Sequence, residues 1–185
     1  PFEIERAKLL GRKSNLTNKV FYSLMNYTNT SFEDNYFDAV FTLETFVHSY
    51  DIKKTLKEFY RILKKRCKIA LFEYCVAENY KLSAYEQYVL RKIVRTAALD
   101  GLLELRCNQL SRLLKQAKFK NIKIEDITEN VAPSVYRLKR YFFIPYFFIK
   151  LLHLQHKFPN LTGVNEFANL GQKGLFKYNI LTAEK

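Results

Sequence analysis

The chain has 185 residues, 48% of them hydrophobic and 26% charged, which excludes a disordered polyelectrolyte and gives enough length for one domain with a core. Its formal net charge of +13 would attract phosphates, whether on nucleic acid or on anionic lipid headgroups, and is equally the mark of a solvated basic surface. Three cysteines without two-residue spacing exclude a metal knuckle and a CxxC redox motif, and fit a reducing, intracellular setting.

In chain order, Phe2–Gly11 alternates charged and apolar residues at helical spacing and predicts a short helix stopped by glycine. Val20–Leu24 is a β-prone run, and the Asn, Thr and Ser content of Asn26–Asp34 predicts a loop after it. Phe37–Leu43 is the next strand. Asp51–Leu63 carries Ile52, Leu56, Phe59, Tyr60 and Leu63 on one stripe with Asp51 as N-cap, so it predicts an amphipathic helix. Lys68–Val76 is an apolar run interrupted by Glu73, as in a strand covered on both faces. Strand, helix and strand together predict a βαβ unit.

Further on, Tyr80–Leu99 and Arg106–Ala117 read as helices and Ile122–Ile127 as a half-covered strand. Tyr141–Leu154 is apolar and aromatic, but Pro145 and Lys150 leave it too short to span a bilayer, so it is expected to lie on a membrane or line a lipid pocket. The tail holds Gly163, Gly171 and Gly174 and closes on a strand-like run, Leu175–Ala183.

The chemistry concentrates in Phe32–His48, FEDNYFDAVFTLETFVH. Glu44 and Thr45 leave the C-terminal end of a predicted parallel strand there, the end at which doubly wound sheets bind ligands. The strand with "FD-V" followed by a basic turn resembles the core of S-adenosylmethionine-dependent methyltransferases. The successive blocks FEIERAKLLGRKSNL, SFEDNYFDAVFTLETFVHS, EFYRILKK and FEYCV, with the tail GQKGLFKYNILTAEK, resemble those of the sterol 24-C-methyltransferases in order and spacing.

That resemblance implies an α/β fold, a doubly wound Rossmann-like methyltransferase sheet missing its first strands, with a helical, aromatic C-terminal part. It divides the chain into residues 1–130, the later part of the methyltransferase core, and 131–185, a C-terminal region like that of the sterol enzymes. The glycine-rich cofactor loop and the ribose-binding acid are expected to precede Pro1. The implied reaction is methyl transfer from S-adenosylmethionine to a sterol or related lipid. The implied catalytic residues are Glu44 and His48, from an "EA-x-x-H" block, and Glu73 and Tyr74, from a "YEW" block. Cofactor contacts fall on Asn26, which stands where the family has an adenine-contacting aspartate, and on Tyr27, Leu43, Glu44 and Thr45. No metal is implied.

The implied partners are a sterol or lipid substrate, a peripheral membrane surface at the endoplasmic reticulum or lipid droplet, and a second copy of the chain. Three departures from the family motivate a catalytically inactive relative as the alternative: the glycine-rich first motif missing from these residues, Asn26, and Lys64–Cys67 where the family has "KPGG". A nucleic-acid methyltransferase or binding module is the minority reading. It rests on charge and on the basic and aromatic residues of Tyr136–Tyr141, without an RNP-like or zinc-ligand motif.

Overall fold

The computed structural model describes residues 2–16, 18–78, 80–154 and 157–185. Helix α1 (Phe2–Lys13) comes first and continues through Gly11 instead of stopping there. Gly11 is buried, and a Cβ on it would stand 3.2 Å from the Tyr22 ring, so the glycine admits a close ring contact and does not end the helix.

Four strands make one sheet among the described residues: β1 (Phe37–Leu43), β2 (Leu63–Val76), β3 (Lys120–Asp126) and β4 (Phe176–Glu184), in the order β1-β2-β4-β3. β1 and β2 are parallel and joined through helix α2 (Ile52–Ile62), which is the expected βαβ unit. β4 runs antiparallel to both neighbours. The predicted strand Val20–Leu24 is irregular chain, with Phe21 and Leu24 largely exposed. Its β-branched and aromatic residues suit a strand, but no described strand offers it a ladder, and propensity without pairing does not make a sheet.

Asp51 caps α2 as its position predicts, its side chain accepting from the Lys54 amide at 2.9 Å. The apolar stripe of α2, Ile52, Leu56, Phe59 and Ile62, is buried. The opposite end of the βαβ unit is held by ions. Glu58 Oε1 accepts from the backbone and hydroxyl of Thr30 at 2.8 and 2.6 Å, and Arg61 reaches Glu58 at 2.7 Å and Asp34 at 2.8 Å. These contacts tie the Asn26–Asp34 loop to the helix.

The Arg61 guanidinium, with help from Thr30, holds the Glu58 carboxyl at about 2 against an ordinary 4.5. A depressed carboxyl contributes stability that is full above its unfolded value and lost as pH falls through the folded one. Thermal unfolding followed from pH 6 to pH 2 should therefore show a loss of about 2 kcal/mol in that window, and Glu58→Gln should remove it.

In place of the turn expected at Lys64–Cys67, β2 begins at Leu63 and carries an irregularity. Arg66 takes φ of 63°, and the β1 register jumps from Phe37↔Leu63 to Ala39↔Lys68. The left-handed residue survives there without a glycine. Cys75 and Cys107 form a disulfide with Cα atoms 5.2 Å apart, and Cys67 is free. The cysteine spacing in the sequence assigns no such pairing. Val76 bridges to Arg106, and this brings together two cysteines 32 positions apart in sequence.

Helix α3 (Ala84–Ala97) starts from a capping box between Ser83 and Glu86. A short helix α4 (Leu110–Gln116) forms the later part of the predicted Arg106–Ala117, after a 3-10 turn at Cys107–Gln109. The aromatic segment lies within α5 (Thr128–Leu151), which contains Pro133 and Pro145. Among the described residues no helix is long and apolar enough to cross a membrane. Helix α6 (Pro159–Gln172) occupies the glycine-containing tail, which the sequence reading leaves without an element before its closing strand.

Alternation along β2 sends Ile69, Leu71, Glu73 and Cys75 to one face and Phe72 and Tyr74 to the other. Tyr74 meets Phe167 of α6 edge-on at 5.0 Å, so α6 covers the second face, while the loop entering α2 covers the first.

Candidate functional site

The loop leaving β1 is the centre of the site. Glu44 has φ of 51°, which turns the chain sharply, and residues Phe46–His48 form a single 3-10 turn with Phe46 and Val47 buried. One buried carboxylate holds this loop. Glu73 Oε1 accepts from Thr42 Oγ1 at 2.9 Å, from Thr45 N at 3.1 Å and from Phe46 N at 2.7 Å. Its other oxygen is buried with no hydrogen-bond partner among the described residues. Burial raises the pKa of Glu73, opposed by the donors from Phe46, Thr42 and Thr45.

On the other side of the loop lies a cavity of about 390 Å³. Its apolar wall comes from three helices and a turn: Ile93 of α3, Leu102, Val135 and Leu138 of α5, and Val164 and Phe167 of α6. Glu44, His48 and Tyr74 face into it from the sheet end. Three of the four sequence-predicted catalytic residues therefore share one cavity. Glu73 does not line it, because strand alternation sends its side chain to the opposite face from Tyr74.

Burial, and then the negative charge of Glu44, pushes the Tyr74 hydroxyl up to about 12, so it stays protonated as a donor. Burial and Glu44 also raise Tyr178, which packs on Tyr74 at 4.6 Å. His48 Nδ1 lies 2.8 Å from the Ala98 carbonyl. A carbonyl can only accept, so Nδ1 carries the proton, and in the neutral ring Nε2 is an acceptor.

The predicted cofactor contacts divide in two. Leu43, Glu44 and Thr45 are exposed at the carboxyl end of β1. Asn26 forms a local turn, its Oδ1 accepting from Thr28 N at 3.0 Å and Thr28 Oγ1 at 2.9 Å, with Nδ2 3.4 Å from the Tyr50 hydroxyl. Tyr27 is half-buried against Phe59, and its hydroxyl is raised by burial and by the charge of Glu73. Asn26 and Tyr27 do not line the apolar cavity; they sit across the loop from it. The arrangement fits a cofactor on one side of the 44–48 loop and an apolar acceptor on the other. Asn26 Nδ2 has donor capacity left, and the loop is open at Leu43–Thr45. The α5 and α6 walls of the cavity carry no chemical signature in sequence; only the periodicity of Val164, Phe167 and Ala168 hints at a covering helix.

These elements define the class, a Rossmann-like α/β sheet with an antiparallel strand inserted toward one edge. The fold matches that of geranyl diphosphate C-methyltransferase from Streptomyces coelicolor A3(2), with a TM-score of 0.73 and 15% identity, over 98% of this chain and 59% of that one. It also matches phosphoethanolamine N-methyltransferase 2 from Haemonchus contortus, with a TM-score of 0.69 and 19% identity, over 94% of this chain and 39% of that one.

Residues 2–71 match the family model described as a methyltransferase domain. Within that class the similarity extends to sterol 24-C-methyltransferase of Saccharomyces cerevisiae, 27% identical over 70% of this chain and 33% of that protein, as the sequence blocks imply. Tocopherol O-methyltransferase of Arabidopsis thaliana is 29% identical over 72% of this chain and 39% of that protein. The chain thus spans between a third and two fifths of the length of these curated relatives.

Proposed function

We propose that the protein is an S-adenosylmethionine-dependent C-methyltransferase acting on a sterol or a related lipid. The observation that carries this reading is the apolar cavity opening beside Glu44 and His48 at the carboxyl end of a parallel strand. The similarity to the yeast sterol enzyme supports it.

Leu43, Glu44 and Thr45, with the Asn26 amide, would hold the cofactor. When bound, it supplies an electrophilic methyl group. The remaining work falls to the chain. The apolar walls exclude water and align the hydrocarbon, and an alkene that has accepted a methyl becomes cationic within reach of the Tyr74 ring and the Glu44 carboxylate. His48 Nε2 is placed to accept the proton whose loss restores a double bond.

Membrane delivery of such a substrate fits α5. Tyr141, Phe143, Ile144, Phe147 and Phe148 are exposed there beside Arg137, Arg140 and Lys150, a composition suited to an anionic bilayer surface such as that of the endoplasmic reticulum or a lipid droplet.

The test is calorimetric titration of S-adenosylmethionine into the protein expressed from its whole reading frame, followed by a lipid methylation assay. Saturable binding and methyl transfer are expected; absence of binding would favour the inactive relative. A Cβ on Gly163 meets nothing within 4 Å, and the residue lines the cavity. Gly163→Leu should therefore fold, fill lipid space and lower kcat/KM for the lipid by about ten-fold or more while cofactor affinity stays unchanged.

A further inference from the structure

Helix α3 separates two hollows of opposite character. One side, through Ile93 and Ala97, lines the apolar cavity; the other, with the turn that follows, walls an open cleft of about 680 Å³. Arg91, Lys92 and Arg95 all line the cleft, and Thr96 lines both hollows. Among the described residues none of the three cations has an ion-pair partner. Elsewhere Arg61, Lys64, Lys173 and Lys177 each meet a carboxylate within 4 Å. Asp100 stands on the cleft wall but pairs with none of them.

Arg91 and Arg95 are one helical turn apart on the same face, a spacing at which like charges destabilise a helix unless an anion lies between them. Small residues stand between the two hollows. Thr96, Ala97 and Ala98 are small and exposed, and Ala98 turns the chain away in a left-handed conformation while its carbonyl meets His48.

We propose that the cleft binds the phosphate of an amphipathic substrate whose hydrocarbon tail crosses the Thr96–Ala98 rim into the apolar cavity. Phosphate is the group that matches two guanidinium forks and an ammonium, because it accepts charge-assisted hydrogen bonds on several oxygens. The proposal rests on the apolar cavity being the acceptor site and narrows the acceptor to a lipid phosphate or diphosphate. A neutral sterol hydroxyl leaves the three cations unused.

The test compares farnesyl phosphate, farnesol and inorganic phosphate, each titrated below micellar concentration into the whole-reading-frame protein, with S-adenosylhomocysteine titrated separately. Farnesyl phosphate should bind about ten-fold or more tighter than either farnesol or phosphate. The Arg91→Gln/Arg95→Gln variant should reduce it to the level of farnesol and leave farnesol and S-adenosylhomocysteine unchanged. Glutamine keeps the helix propensity, and a circular dichroism melt confirms folding. Equal binding of farnesyl phosphate and farnesol would overturn the anionic headgroup and leave the apolar acceptor site standing. Phosphate alone binding as tightly as the amphiphile, or an RNA oligonucleotide displacing it, would overturn the lipid assignment. Farnesyl phosphate binding that survives the double substitution would overturn the cleft as its site. Loss of S-adenosylhomocysteine binding in the parent protein would count against the methyltransferase reading independently.

Discussion

Replacing Glu73 with leucine is expected to cost about 3 kcal/mol or more and to release the loop that carries Glu44 and His48, because two backbone amides and a threonine hydroxyl lose their common acceptor in a buried site. Replacing it with glutamine should cost clearly less than leucine, about 1–2 kcal/mol, since the amide oxygen still accepts all three donors and only the Nε2 group, in place of the oxygen unpartnered among the described residues, lacks an acceptor. Activity then distinguishes two roles. A carboxylate that touched substrate would lose activity in Glu73→Gln with the fold intact, whereas one that positions the loop retains most of it. The pH dependence supplies a second readout. A carboxyl raised above 4.5 by burial contributes stability that is present below 4.5 and lost as pH rises through its folded value. Glu73→Gln should therefore remove a fall in stability on the upward side of pH 4.5, the reverse of the Glu58 effect. Chemical denaturation of both variants from pH 4 to pH 8 checks the stability, and methyl transfer checks the role.

The βαβ unit was legible because its signals are local and agree with one another. Asp51 supplies the cap, Ile52, Leu56, Phe59, Tyr60 and Leu63 the stripe, and Lys68–Val76 the buried run. Val20–Leu24 misleads for the opposite reason, since its residues suit a strand but pairing is decided by neighbours that no local pattern reports. Helix α6 is hidden by Gly163 and Gly171, which weaken helix propensity inside it, and packing against α3 and α5 outweighs that weakness. The Cys75–Cys107 bond lay outside the sequence reading because it depends on where β2 ends against the chain at Arg106.

The polar side of the candidate site was legible through resemblance, and the structure gathers Glu44, His48 and Tyr74 at one cavity. The assignment of Glu73 beside Tyr74 shows what motif adjacency misses. Neighbours on a strand point to opposite faces, so a two-residue block serves two different places, here the loop on one side and the apolar cavity on the other. The apolar walls were not legible as a site, because leucines and valines from distant segments become a pocket only when α5 and α6 fold over the sheet.

Gly101 connects the far wall of the cavity to that same loop, and it supplies the second large effect. It is buried in the turn after α3, and a Cβ there would stand 2.7 Å from the Ser49 carbonyl oxygen, 2.8 Å from Ile52 Cδ1 and 3.0 Å from the Val47 carbonyl oxygen. Two of these neighbours are backbone, so no rotamer change relieves the contact, and the loop or the turn must move. Gly101→Ala is expected to lower stability by about 3 kcal/mol. Because Val47 and Ser49 flank His48, the movement also pulls the imidazole away from the Ala98 carbonyl that fixes its tautomer. The pH profile of methyl transfer should therefore change along with its rate. Urea unfolding measures the first effect. A loss below about 0.5 kcal/mol, the range of an ordinary surface substitution, would mean that the turn does not press on the loop and that the cavity's far wall is independent of its Glu44–His48 side.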